Sequence, residues 1–197
     1  MPTALKTLRI ADGATSTIWD YRRETRPNGG TIALRACVWH IPVIHDIAGR
    51  DDLDLLRRVL LDQGLMVHFG NDREGNIALY AKPNRLCFHA RGANQVSCGV
   101  EQMHFGINDP WLRKQLRASG WIANYLEREF GIPLRMADLE PGGAGIAKVV
   151  RTGHTSHEMV SNMAGFNDRS DPGHGFDYDY VFHCARFFAE HGHFVGA

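Results

Sequence analysis

The stretch from Gly153 to Phe176, GHTSHEMVSNMAGFNDRSDPGHGF, combines histidines with a carboxylate placed at a turn. Asp171 is followed directly by proline and glycine, which form tight turns and so fix where the carboxylate points. Histidine and carboxylate are the ligands of catalytic zinc sites, where three protein groups bind the ion and water takes the fourth position. The stretch therefore predicts two ligands of a metal site, and its candidate histidines are His154, His157 and His174.

The remaining ligand is predicted to be His40. It follows the β-rich apolar run Thr31 to Trp39, TIALRACVW, which is typical of a buried strand. Strand ends are where α/β folds place their sites. His45, in the loop that comes next, is the nearby competitor.

The bulk composition is that of an ordinary globular protein. The chain has 197 residues, of which 44% are hydrophobic and 22% are charged, values that suit one domain with a sizeable core. Lys+Arg and Asp+Glu are both 22, so no basic surplus indicates a nucleic-acid partner. No apolar run has transmembrane length, and the first residues lack the long apolar segment of a secretory signal. We therefore expect neither a membrane nor a nucleic acid as partner.

The cysteines do not form a recognisable motif. Four cysteines lie far apart without a CxxC pair: Cys37, Cys87, Cys98 and Cys184. This spacing favours buried thiols in a protein made in a reducing compartment over a disulfide framework.

The order of predicted elements indicates an α/β domain with a mixed central β-sheet flanked by helices. Residues 1–30 are predicted to be an N-terminal arm or extension, and residues 31–197 a single catalytic domain. Apolar and turn patterns predict helices near 51–63, 109–130 and 178–191. They predict strands near 31–39, 65–69, 77–81, 86–90, 96–103 and 146–151.

At this point the sequence resembles a known family, the zinc-dependent N-acetylmuramoyl-L-alanine amidases of the type-2 group. That group includes phage endolysins, bacterial amidases and peptidoglycan-recognition proteins, and the resemblance runs from about Leu34 to Phe182. CVWH resembles the family's strand that ends in the first zinc histidine, and VHFGNDREGNI is similar to its hairpin. FHARGANQVSCGVE and the stretch from His157 to Phe176 resemble its two later segments.

The resemblance implies a zinc site formed by His40, Asp171 and one histidine of GHTSH. His157 is favoured, because the residues after it match the family's His-x-x-Val-Ser version and 171 − 157 leaves a family-like separation of 14. His154, which follows a glycine as in another version of the motif, stays open as a rival.

Other family positions differ in this chain. A family tyrosine is replaced by Val67, and a family serine by Cys98. The family lysine two residues before the last ligand is Arg169, which keeps the positive charge but cannot donate a proton at neutral pH.

Amide hydrolysis also needs an acid/base group, which we predict to be Glu101 at the end of the GVE strand. Arg169 is predicted to stabilise the developing oxyanion, with a structural ion pair to Asp168 as the alternative. Histidines outside the ligand set are predicted to contact substrate: His68, His89, His154 and His174.

The predicted function is zinc-dependent cleavage of the bond between N-acetylmuramic acid and L-alanine in bacterial peptidoglycan. The chain would act as a monomeric phage endolysin, made in the host cytoplasm without a signal peptide and acting on the cell wall. Two alternatives stay open: a peptidoglycan-binding module without activity, and an amidase that uses Cys98 or Cys37 as nucleophile.

Overall fold

The computed structural model describes residues 3–9, 15–23, 25, 27–42, 52–105 and 108–192. A seven-stranded sheet lies at its centre in the order β1-β2-β5-β4-β6-β3-β9, and a separate hairpin pairs β7 with β8. The strands are β1 Thr3–Arg9, β2 Thr15–Asp20, β3 Ala36–His40, β4 Phe69–Asn71, β5 Ile77–Leu79, β6 Ser97–Gln102, β7 Asp138–Gly143, β8 Ile146–Arg151 and β9 Gly153–Ser156. The helices are α1 Asp52–Asp62, α2 Arg113–Phe130, α3 His157–Met163 and α4 Tyr178–His191.

The central sheet is mixed, as the sequence predicts. Four neighbouring strands, β4, β6, β3 and β9, run parallel to one another. The strands on the other side of β4 include antiparallel pairs, β4 with β5 and β1 with β2. Since parallel strands end at the same edge, the residues that close β3 and β6 are brought together there.

The two faces of the sheet are covered by different helices. On one face, Trp39 and neighbouring strand residues pack in a core cluster with residues of α2 and α4. On the other face, Val38 packs with Val160 of α3, while α1 contributes to a further cluster. Because side chains alternate along a strand, His40 lies on the same face as Val38. The side chain of His40, the predicted ligand at the end of β3, therefore projects from the face that α3 covers.

Two strands from the first 30 residues belong to the central sheet. The strand β2 pairs in parallel with β5 through Ile18, Trp19 and Asp20, and β1 pairs with β2 at the sheet edge. The boundary at residue 30 stays a prediction.

Some predicted elements were wrong in type or extent. Residues 86–90 form no strand, because side chains take the backbone amides of three of the five residues. The amides of His89 and Ala90 donate to the side-chain oxygen of Asn94, and that of Phe88 donates to Asn28. The predicted helix at 109–130 begins at Arg113, and the apolar and turn patterns of the sequence do not predict the strand β7.

Two predictions about the bulk of the chain can be compared with the structure. All four cysteines are buried and free, so the prediction of buried thiols is confirmed. Within the described ranges, no helix combines the length and the apolar character needed to cross a membrane.

Candidate active site

Three side chains from separate elements bring one nitrogen or oxygen atom each to a common point. His40 Nδ1 lies 3.0 Å from His157 Nδ1, and His157 Nδ1 lies 3.3 Å from Asp171 Oδ2. The third edge, between His40 Nδ1 and Asp171 Oδ2, measures 3.7 Å. These three residues form the group in the described chain that could hold a metal ion.

The spacing of these atoms fits a tetrahedral ion. Zinc binds nitrogen and carboxylate oxygen at roughly 2.0–2.1 Å, and tetrahedral angles then separate neighbouring ligand atoms by about 3.3 Å. The three observed distances, 3.0, 3.3 and 3.7 Å, bracket that value. Two imidazoles and one carboxylate are also a donor set found in catalytic zinc sites, which leave one position open.

Local structure explains why the ligands meet. Ser156 ends β9 and caps α3, accepting a hydrogen bond from the Met159 amide at 3.0 Å, so that His157 is the first helical residue. Asp171 is held from two sides: its carbonyl accepts from the Glu158 amide at 3.1 Å, and its Oδ2 accepts from the Ile41 amide at 3.2 Å. The carboxylate is therefore fixed against both histidine-bearing elements.

His154, the rival for the second histidine, lies in the core instead. Strand β9 places it opposite Cys37 of β3, on the face covered by α2 and α4. Its Nδ1 accepts a hydrogen bond of 3.2 Å from Trp39 Nε1, and its side chain is 0% exposed. The expectation that His154 lies at a cleft rim near the substrate is therefore wrong, because the alternation of β9 turns this side chain inward.

The environment of His154 makes a pH-dependent prediction. Burial lowers its pKa to about 3, against about 6.5 in the unfolded chain, so the folded state binds fewer protons in that interval. Its contribution to stability is present above pH 6.5 and is lost as the pH falls toward 3. The variant His154→Asn keeps an acceptor for Trp39 but cannot titrate. As the pH falls between 6.5 and about 3, the free energy of unfolding of the wild type should therefore decrease by about 1.4 kcal/mol per pH unit more than that of His154→Asn.

The measurement is urea unfolding of metal-free protein between pH 4 and pH 7. The matched control is His183→Asn, since His183 is exposed on α4 and should give a curve parallel to that of the wild type. Parallel curves for His154→Asn and the wild type would show that His154 does not titrate as its burial requires.

Glu101 lies next to the ligand cluster and has an unusual environment. It is opposite His40 in the β3–β6 register and is 8% exposed. Burial, and secondarily repulsion by Asp171, raise its pKa to about 8, although Arg169 acts in the other direction. Its Oε2 is buried without a hydrogen-bond partner in the described part of the chain. Such a carboxylate is costly to keep in a structural role, which favours a functional one.

The cluster opens into a cavity of about 500 Å³ that can admit a substrate. Glu101, Arg169 and the three candidate ligands are among the residues that line it. Its apolar lining residues are Ile41, Pro42, Leu56, Val59, Leu60, Leu65 and Phe105. Arg169 has a half-exposed side chain that only approaches Asp168, at 4.0 Å.

The other predicted substrate histidines have different positions. His68 is 0% exposed, with Nδ1 accepting from the Gly99 amide at 2.9 Å and Nε2 donating to the Arg85 carbonyl at 2.8 Å. It therefore has a structural position and not one in a groove, so this expectation is wrong.

His174 is exposed and lines a second cavity of about 400 Å³, which shares Ser170 with the first. His45 lies outside the described residues.

His89 lines the first cavity but has both ring nitrogens engaged. Its Nδ1 lies 3.1 Å from His40 Nε2, and its Nε2 lies 3.2 Å from the Ser97 carbonyl. Burial, chiefly, holds the pKa values of His40 and His89 well below the ordinary range, so both rings are neutral at pH 7. No motif or spacing in the sequence predicts the contact between the two rings, which are 49 positions apart.

The sequence also matches the model of a known protein family. The family model described as Amidase_2, N-acetylmuramoyl-L-alanine amidase, matches residues 36–174. The chain belongs to this family, and membership supports amidase activity on peptidoglycan. No curated protein sequence matches the chain.

Solved structures show the same fold at low sequence identity. The Staphylococcus aureus hydrolase AmiA, in complex with its ligand, has a TM-score of 0.60 and 15% identity, over 91% of this chain and 87% of that chain. Drosophila PGRP-LB has a TM-score of 0.56 and 15% identity, over 91% and 97%. The amidase LysC from Clostridium intestinale has a TM-score of 0.54 and 14% identity, over 89% and 97%.

Proposed function

We propose that the protein is a zinc-dependent amidase that hydrolyses the bond between N-acetylmuramic acid and L-alanine in peptidoglycan. The observation that carries this proposal is the meeting of His40 Nδ1, His157 Nδ1 and Asp171 Oδ2 within 3.7 Å of one another. The cluster lies at a cavity that Glu101 also lines, in a chain of the amidase family.

His40, His157 and Asp171 would hold the zinc ion. Bound there, zinc supplies a Lewis acid for the amide carbonyl and lowers the pKa of water to about 7. The side chains of the three residues are 2%, 12% and 14% exposed, so the donor atoms are shielded yet border the cavity.

Glu101 is proposed as the acid/base group. In its ionised form it accepts a proton from the attacking water, and the carboxylic acid formed in this way then donates that proton to the leaving amine, which departs as a neutral amine. Burial and the repulsion by Asp171 raise its pKa to about 8, close enough to neutral pH for the side chain to exist in both the ionised and the protonated form. The absence of a fixed partner for Oε2 among the described residues leaves this oxygen available for the transfer.

Arg169 is proposed to stabilise the negative charge that develops on the carbonyl oxygen. Its charge already acts on the site, since it lowers the pKa of both Glu101 and His40. A guanidinium stays protonated at neutral pH, so Arg169 can stabilise charge but cannot replace Glu101 as proton donor. The weak approach to Asp168, 4.0 Å, leaves it able to turn toward substrate.

The cysteine alternative has little support from the geometry. Cys37 and Cys98 are both 0% exposed, and burial raises the pKa of Cys37 well above its ordinary value. A nucleophilic cysteine needs access and a lowered pKa. Neither thiol has both.

Zinc content and chelator sensitivity test the proposed function. Protein purified without chelator should contain one zinc per chain, should lose wall-lysing activity when the metal is removed, and should regain it with zinc. Activity that resists chelation but is lost on thiol alkylation would favour the cysteine mechanism. Peptidoglycan binding without any turnover would favour the binding module.

The endolysin role is a further part of the proposal and rests on the resemblance to phage amidases. A monomeric enzyme made in the host cytoplasm would lyse cells from inside only when the membrane is opened. Co-expression with a membrane-permeabilising protein should therefore cause lysis that neither protein causes alone, and size-exclusion chromatography should give a mass near 22.1 kDa.

A further inference from the structure

A third imidazole lies directly behind the ligand His40. His40 directs Nδ1 toward His157 and Asp171, and its other ring nitrogen, Nε2, lies 3.1 Å from His89 Nδ1. The far side of His89, Nε2, lies 3.2 Å from the Ser97 carbonyl oxygen. The three groups therefore form a chain of hydrogen bonds that begins at a backbone carbonyl and ends at a candidate metal ligand.

The direction of this chain follows from the Ser97 end. A carbonyl oxygen can only accept, so His89 Nε2 must carry the hydrogen. The hydroxyl of Ser97, 3.5 Å from the same nitrogen, already donates to the Ala93 carbonyl at 2.8 Å and so also offers a lone pair. A neutral imidazole has one hydrogen, which leaves His89 Nδ1 as an acceptor. His40 Nε2 must then be the donor, and His40 Nδ1 is left with a free lone pair.

The position of His89 depends on Gly99 of β6. A side-chain carbon at Gly99 would lie 2.6 Å from both Cγ and Nδ1 of His89, closer than such atoms approach in proteins. The side chain of His89 therefore packs closely against Gly99 of β6, where only glycine leaves room. The backbone of Gly99 is itself held by His68, whose Nδ1 accepts the Gly99 amide hydrogen at 2.9 Å.

We propose that His89 is a positioning residue that sets the tautomer of His40, so that Nδ1 of His40 faces the metal position with its lone pair. The inference rests on the proposed zinc site and deepens it. The expectation that His89 contacts substrate stays a prediction beside it, since His89 also lines the cavity. A metal-bound histidine needs its second nitrogen oriented in this way, and loss of such a partner typically lowers metal affinity about 10–100-fold.

The first test needs neither zinc nor activity. Long-range nitrogen–proton correlation spectra of the metal-free wild type, recorded near pH 7.5, distinguish the two neutral tautomers of each histidine. We expect His40 and His89 both to carry hydrogen on Nε2. A hydrogen on Nδ1 of His40 would overturn the proposal, whatever the protein's activity proves to be.

The second test measures zinc affinity by competition with a chromophoric chelator. His89→Leu removes the acceptor and should weaken zinc binding about 10–100-fold. His89→Asn restores an acceptor oxygen near the position of Nδ1 and should recover most of that loss. The control His183→Asn, an exposed histidine on α4, should bind zinc like the wild type. Wild-type affinity in a folded His89→Leu variant, or equal losses in the Leu and Asn variants, would contradict the proposal.

Gly99→Ala supplies an independent variant that keeps every histidine. The added carbon should displace the ring of His89, weaken zinc binding in the same range as His89→Leu, and reduce the population of the His40 tautomer with hydrogen on Nε2. Unchanged affinity and an unchanged tautomer in Gly99→Ala would also contradict the proposal. If the wild type binds no zinc at all, the proposed function fails, while the tautomer measurement still decides the role of His89.

Discussion

Replacing Glu101 with glutamine should lower turnover on peptidoglycan by about 100-fold or more, because a positioned acid/base group contributes that much to proton transfer. Glutamine keeps the shape of the side chain but can neither accept nor donate the proton. Zinc content should not change, since Glu101 is not among the three clustered ligands. The measurement is the initial rate of release of soluble wall fragments, with metal content determined on the same sample.

The matched control for this change is Glu129→Gln. Glu129 is an exposed residue near the end of α2, so the same chemical replacement there should leave the rate unaltered. A Glu101→Gln variant that digests cell walls at nearly the rate of the wild type would show that Glu101 is structural and that another base operates.

Replacing His157 with alanine should abolish zinc binding and activity together. Two ligands would remain, His40 and Asp171, whereas catalytic zinc sites use three protein ligands.

His154→Ala should have a different effect: the variant keeps zinc but loses about 2 kcal/mol or more of folding free energy, because a buried ring is removed. It also leaves the Trp39 Nε1 hydrogen without its acceptor.

Metal analysis and urea unfolding of the two variants distinguish these expectations. Zinc retained at wild-type affinity in the His157 variant would remove this residue from the ligand set. Loss of zinc from a folded His154 variant would make the rival histidine the ligand, and the three-atom cluster seen at His157 would then need another explanation.

The ligand cluster could be predicted well because each residue has a local sequence signal. His40 ends an apolar strand, and Asp171 precedes a proline–glycine turn. The choice between His154 and His157 was harder, because both lie at the junction of a strand and a helix. The two histidines belong to different elements in the structure. His154 lies within β9, which extends to Ser156, and its side chain points into the core, whereas His157 is the first residue of α3.

Other features depend on partners that are distant in sequence. Residues 86–90 have an apolar pattern typical of a strand, but Asn28 and Asn94 bind their backbone amides. The contact between His40 and His89 joins residues 49 positions apart and depends on the small size of Gly99. Neither propensity nor periodicity encodes such contacts, so the sequence alone places His68 in a substrate groove although its ring is fully buried.

The most direct test of the central claim is the identity of the bond that is cut. Purified peptidoglycan digested by the zinc-loaded protein should yield free stem peptides with L-alanine at a new N-terminus, together with glycan strands that lack stems, as identified by mass spectrometry. Stem peptides still attached to N-acetylmuramic acid, with new ends only inside the peptide or the glycan strand, would contradict the account.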